Sequence, residues 1–235
     1  MNTQIAPTHF DHAKADAFAE GLLNILNHSA ISLMISIGHQ TGLFDTLATL
    51  PPATSQQIAD AAGLNERYVR EWLGAMVTGR FVEYNPAGRT YLLPPEHQAF
   101  LTRKAAPNNF AISFQFFPIL ATVEDLILDC FYHGGGVPYS AYQRFHQVMA
   151  EESAQTVVSA LDEAVLPLVP GLVKALQQGI DVLDIGCGSG YALNRMATLF
   201  PQSRFKGYDL SEEAIATART KAQALGLTNV RFYVN

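Results

Sequence analysis

The nine residues at positions 182–190, Val-Leu-Asp-Ile-Gly-Cys-Gly-Ser-Gly, constrain this chain more than any other stretch. An apolar strand runs into three glycines at alternate positions, and a helical pattern follows at 191–199. Glycine lets the backbone turn sharply there and lets a ligand approach main-chain N–H groups. A second strand is expected at 204–208, then a helix that Ser211 caps and Gly226 ends, then a third strand at 230–234. The order βαβαβ is half of a doubly wound parallel sheet.

The spacing of the glycines limits what the turn can hold. The dinucleotide pattern G-x-G-x-x-G, started from Gly186, needs a third glycine at position 191, where this chain has Tyr191. The turn therefore suits a nucleoside without phosphates better than a pyrophosphate. Asp184 points the same way, because an anion repels phosphate and attracts an ammonium or sulfonium group. Asp209 closes the second strand, 19 positions past Gly190. A carboxylate at that place can accept hydrogen bonds from two ribose hydroxyls.

Upstream the chain is mainly helical. Apolar residues at helical spacing (Phe18, Leu22, Leu23, Ile25, Leu26, then Ile31 to Ile37) predict a helix over 11–37. It is too apolar for a surface helix, so it lies under the rest of the chain or packs on a second copy. Thr54 or Ser55 caps a helix at 56–62, and Asn65 caps a longer one to about Thr78. A hairpin over 81–93 follows, turning at Asn85-Pro86-Ala87-Gly88-Arg89. Helix, turn, helix and hairpin is the order of a winged helix-turn-helix. Residues 105–170 read as interrupted helix, with an amphipathic helix at 154–166 and Gly134-Gly135-Gly136 as a loop. Phe110, Phe114, Phe116 and Phe117 are expected mostly in the core, some of them lining an apolar pocket. The limits are residues 1–40 for N-terminal, dimer-forming helices, 41–104 for the winged helix, 105–170 for a helical linker, and 171–235 for the βαβαβ unit.

The segments at 182–190, 205–211 (Phe-Lys-Gly-Tyr-Asp-Leu-Ser) and 229–232 (Asn-Val-Arg-Phe) resemble the first three motif blocks of class I S-adenosylmethionine (SAM)-dependent methyltransferases. Phe131-Tyr-His-Gly-Gly-Gly-Val-Pro-Tyr-Ser140, Arg144-Phe-His146 and Met149-Ala-Glu-Glu-Ser153 resemble the linker of bacterial small-molecule methyltransferases that carry an N-terminal winged helix. The resemblance implies an α/β plus mainly α protein with an incomplete Rossmann-like domain. It implies SAM as cofactor, held by Asp184, Gly186, Cys187, Gly188, Gly190, Tyr208, Asp209 and Leu210. The glycines would cradle the methionyl part, Asp209 would hold the ribose and Leu210 would flank the adenine. Tyr139 either stacks on the cofactor or is simply packed. The family pattern continues past a third strand, so the chain is expected to be a fragment that alone turns over no substrate, with the first strand as an open apolar edge.

Methyl transfer from a sulfonium draws much of its rate from positioning, and a base helps a hydroxyl acceptor. His133, beside the triple glycine, is the candidate base, against the alternative of a surface histidine; His146 is assigned a structural place. No cluster has metal-ligand spacing. Residues 41–100 hold four arginines against six carboxylates, and Glu66 and Glu71 accompany Arg67 and Arg70 on the second helix. DNA binding needs a basic face, so the winged helix is expected to serve dimerisation and to cover an acceptor pocket. The alternative is a winged-helix regulator whose methyltransferase-like domain senses a ligand. The net charge of −6 argues against nucleic-acid and anionic-membrane partners. Two distant cysteines favour a reducing cytoplasm. Residues 1–10 lack a signal peptide, and apolar runs such as 30–37 fall short of the roughly 20 residues that span a bilayer.

Overall fold

A computed structural model describes residues 10–235. The inspection of the first ten residues for a signal peptide falls almost wholly outside them. The chain builds two cores in succession.

The first core is the winged helix. Helix α1 (His12–Gln40) starts at an Asp11 cap that accepts from the Lys14 N–H. Only its last third is packed: Ile35, Ser36, Gly38 and His39 are buried, and the indole N–H of Trp72 donates to the Met34 carbonyl at 2.8 Å. Helix α2 (Leu43–Leu47) follows, then α3 (Ser55–Ala62) and α4 (Glu66–Thr78). Thr54 and Gln57 form a reciprocal capping box at the start of α3, and Asn65 caps α4, as the residue types predict. Strands β1 (Glu83–Asn85) and β2 (Thr90–Leu92) pair antiparallel as the wing, and α5 (Pro95–Leu101) closes the unit. Phe44, Ile58, Leu73, Met76 and Leu93 are fully buried at its centre.

The connecting region holds 3₁₀ turns, α6 (Phe116–Ala121), α7 (Glu124–His133) and α8 (Phe145–Gln155). Two expectations are corrected here. The regular helix begins nine residues before position 154 and stops at Gln155, and the chain goes on through 3₁₀ and π turns to Leu168. Pro167 and Pro170 remove backbone donors, so regular helix does not resume before α9. The aromatic cluster is not core: Phe110 and Phe117 are exposed, while Phe114 and Phe116 are half-buried.

Helix α9 (Leu172–Gln178) leads into β3 (Asp181–Ile185), α10 (Tyr191–Leu199), β4 (Arg204–Asp209), α11 (Glu212–Ala224) and β5 (Val230–Val234). The three strands are parallel in the order β3-β4-β5, with Val182 opposite Phe205 and Phe205 opposite Val230. Leu193, Ile215, Ala218, Phe205 and Phe232 fill the second core between sheet and helices. β3 is a sheet edge on which Leu183 and Ile185 are exposed.

Helix α1 also corrects a length argument. The 30–37 run is short, but the whole helix of 29 residues has a mean hydropathy of 1.3 over an 18-residue window, which is long and apolar enough to cross a membrane by length and composition. The polar residues on its packed end, Ser36 and His39, are held in the winged-helix core.

A polar network ties α8 to the winged-helix half. Glu151 on α8 accepts from His39 Nε2 at 3.0 Å and Arg103 Nε at 3.2 Å through Oε1, and from Gln115 Nε2 at 3.2 Å through Oε2. Arg103 also donates to Asp45 at 2.7 Å. The His39 hydrogen bond, with help from Gln115 and Arg103, holds the Glu151 carboxyl at about 2 against the pull of burial. A carboxyl held low in the folded chain stabilises it above the ordinary carboxylate range and loses that contribution as pH falls toward 2. Because this side chain is 30% exposed, solvent screening brings the effect to about 1–2 kcal/mol. The melting temperature of the wild type is therefore expected to fall more steeply than that of Glu151→Gln between pH 4.5 and pH 2. Parallel curves in an acid titration would contradict this.

Candidate cofactor cleft

The turn after β3 is built from its own sequence. Gly186, Gly188 and Gly190 take φ of 80°, 52° and 67°, the left-handed region that other residues enter at a cost. Two of them do different work. Nothing lies within 4 Å of where a Gly186 side chain would stand, so its face of the loop is open to a ligand. A side chain on Gly190 would sit 2.6 Å from the Phe232 ring and 2.7 Å from Ala218 Cβ, so this glycine lets α10 close onto β5 and α11. The Gly186 and Cys187 N–H groups donate to the Tyr208 carbonyl at 2.8 and 3.0 Å, pinning the loop to the end of β4.

Asp209 is the second fixed point. Its Oδ2 accepts the Gly188 N–H at 2.9 Å and its Oδ1 accepts the Ser211 N–H at 2.8 Å. Each oxygen keeps a lone pair for a ligand hydroxyl. The Tyr208 ring stacks on Tyr233 with centroids 5.1 Å apart, and Leu210 and Ile185 stand exposed at the rim. Burial, then the nearby Asp209, raises the Asp184 carboxyl above its usual range. Neither carboxylate has a basic side chain within 4 Å among the described residues. The loop thus presents uncompensated negative charge, which fits a cationic nucleoside and opposes a phosphate. The Cys187 thiol, pushed up to about 11 by burial and by Asp184 and Asp209, stays neutral and is no nucleophile.

A cleft of about 450 Å³ lies between α8 and the starts of α10 and α11; of the loop only Ser189 lines it, and Asp184, Asp209 and the three glycines stand outside its lining. His146, Ala150 and Glu151 line one wall, and Ser189, Tyr191 and Glu213 the other. Tyr139 is exposed and stacks on the His146 ring at 5.9 Å. His146, assigned a structural place from sequence, thus faces the loop. His133 lies at the end of α7, exposed, bonded to Asp129 at 2.8 Å, and is not among the cleft residues. Glu151 and Glu213 drew no attention in the sequence, where they sit in ordinary solvated helix patterns; the one pointer to Glu151 was the linker resemblance around 149–153. No group of three metal-ligating side chains is assembled among the described residues.

On the winged helix, the second helix carries its own neutralisation. Arg67 pairs with Glu71 at 2.9 Å and Arg70 with Glu66 at 3.7 Å.

Comparison with known proteins agrees with this architecture at both ends. Residues 29–103 match the Rv2258c-like winged HTH domain model, and residues 176–235 match a methyltransferase domain model. The malonyl-[acyl-carrier protein] O-methyltransferase of Bacillus anthracis is 29% identical over 97 residues, covering 41% of this chain and 30% of that protein. An uncharacterized Synechocystis protein is 34% identical over 58 residues, covering 25% of this chain and 12% of its own length. The chain thus spans less than a third of these relatives. Among solved structures, the mitomycin 7-O-methyltransferase superposes with a TM-score of 0.66 at 16% identity, over 96% of this chain and 68% of the other. Human N-acetylserotonin methyltransferase, solved in complex with SAM, gives 0.61 at 16% identity, over 98% and 68%. At such identity the likeness is one of fold, and it runs through both halves. The chain thus carries a segment similar to the Rv2258c-like winged HTH domain, residues 29–103, followed by one similar to a methyltransferase domain, residues 176–235.

Proposed function

We propose that the chain is the cofactor-binding part of a SAM-dependent methyltransferase that acts on a small-molecule acceptor. The observation that carries this is the pairing of an open glycine loop with Asp184 and Asp209, two carboxylates without basic partners. SAM, when bound, supplies an electrophilic methyl group on a sulfonium whose departure leaves a neutral thioether. The chain's residues bind and orient. The loop at Gly186, Cys187, Gly188 and Gly190 gives backbone contact to the methionyl part, and Asp184 attracts its ammonium. Asp209 accepts from the ribose, and Tyr208 and Leu210 form the apolar surround of the base. Tyr139 stacks on His146, which lines the cleft on the side of α8. His133 keeps its candidacy as a base only if α7 moves toward the loop, since its ring is engaged by Asp129. Titration calorimetry of the chain with SAM and with S-adenosylhomocysteine (SAH) tests the assignment. Binding of both, with no binding of NAD, is expected; binding of NAD alone would overturn it.

The winged helix, in the same proposal, pairs two copies and covers the acceptor pocket. Phe18, Leu23, Ile25 and Leu26 are exposed along the free two-thirds of α1, and contiguous exposed apolar residues mark interaction sites. Leu23→Glu with Leu26→Glu is expected to turn a dimer into a monomer in sedimentation equilibrium, and a wild-type monomer would end the idea. Recovery of the wild type with lipid vesicles would instead favour membrane insertion of α1. A DNA-binding regulator is the second reading, favoured by the winged HTH match. The internal ion pairs of α4 count against it, because few free cations remain to neutralise phosphates. Sequence-specific retention in a gel shift at moderate salt would support it. Free thiols at Cys130 and Cys187 favour a reducing, cytoplasmic setting.

A further inference from the structure

We infer that Glu151 is a positioning residue through which the winged-helix domain sets the position of α8 against Ser189 and Tyr191 at the end of the glycine loop; the inference rests on the methyltransferase assignment. Helix α8 has few apolar anchors: Val148 is its one fully buried residue, and the half-buried Phe145 packs on Phe116, Tyr139 and Tyr142 at its start. Polar anchors add to these. Glu151 meets His39, Arg103 and Gln115, Glu152 accepts from Ser113 at 2.6 Å, and Gln155 accepts from the buried Asn109 at 2.7 Å. All these partners precede α8 in the chain, and His39 is 1% exposed, so the anchor point is part of the winged-helix core.

Glu151 is the central anchor because it carries the charge pairs. Its Arg103 partner is itself fixed by Asp45, whose carboxylate takes both the backbone N–H and the guanidinium of Arg103 at 2.8 and 2.7 Å. Gln115 is held in turn by Arg144 at 2.9 Å, at the entrance to α8. The same helix presents His146, Ala150 and Glu151 to Ser189, Tyr191 and Glu213 across the cleft. A displacement of α8 therefore changes the cleft directly, while the winged-helix core and the sheet core each keep their own apolar packing. Small shifts of a binding wall cost affinity steeply, so the effect is expected on the ligand more than on the fold.

The test compares wild type, Glu151→Ala and Glu151→Gln by SAH calorimetry and by hydrogen exchange without ligand. In Glu151→Ala the SAH Kd is expected to rise about tenfold or more. Amide exchange is expected to quicken across both 145–155 and 186–191. Glu151→Gln, which keeps an oxygen acceptor and loses the charge, falls between; it carries the comparison if the alanine variant does not fold. An unchanged Kd, or faster exchange confined to α8, overturns the inference. Wild-type protein that binds no SAH overturns the methyltransferase assignment, and the exchange data alone then decide whether Glu151 couples α8 to the loop.

Discussion

Replacing Asp209 by alanine is expected to remove measurable SAH binding from this chain. The carboxylate does two jobs that alanine cannot do. It ties the loop to the end of β4 by accepting the Gly188 and Ser211 N–H groups, and its remaining lone pairs face the open side of the turn. Hydrogen bonds to a charged group contribute about 1.5–3 kcal/mol each. Losing two to a ligand costs roughly 3–6 kcal/mol, or about two to four decades in Kd. Asp209→Asn impairs both jobs without removing the side chain. Its amide keeps one acceptor, but its NH₂ meets an N–H where a carboxylate oxygen stood, so it should bind nearly as badly. Titration calorimetry reads both variants, and an alanine variant within threefold of wild type would refute the ribose assignment. Removing Asp209 also relieves its repulsion of Asp184, so the Asp184 carboxyl should titrate lower in the variant, which NMR can follow.

The second large effect is on the fold. Trp72→Ala is expected to destabilise the winged-helix half by about 3–5 kcal/mol, the range for removing a buried aromatic side chain. Trp72 is 4% exposed, meets the Phe44 ring edge-on at 5.2 Å and donates to the Met34 carbonyl at 2.8 Å. It also lies against Gly38, where a side chain would come within 2.5 Å of its ring. It is therefore the wedge between α1 and α4. In a domain of this size each kcal/mol moves the melting point by about 4–8 °C, so calorimetry should show a fall of well over ten degrees. The sheet half has a separate core and should keep its transition. Trp72→Phe, which loses mainly the hydrogen bond, should cost about 1–2 kcal/mol. A single transition shifted as one would show that the halves unfold together.

Most of the fold was legible in the sequence because its signals act over short range. Thr54, Asn65 and Ser211 cap helices through their own next turn. The three glycines, the apolar strand before them and Asp209 after β4 mark a site whose parts come from one βαβ unit. The aromatic residues at 110–117 misled, because hydrophobicity says that a residue prefers burial and not whether a neighbour arrives to bury it. The helix expected at 154–166 misled because amphipathic spacing persists through 3₁₀ and π turns.

What the sequence determined by itself was the loop at 182–190 and the class of ligand chemistry it suits, through local backbone freedom and charge. Tertiary structure alone decided what stands opposite that loop. His39 meets Glu151 across 112 positions, and Arg103 meets Asp45 across 58. The second contact exists only once the winged-helix core has formed, and the first only once α8 has been laid against that core. The same packing brought His146 to the cleft and left His133 paired with Asp129 on the surface. No spacing in the sequence encodes those outcomes, because they depend on the sum of all the burial around them.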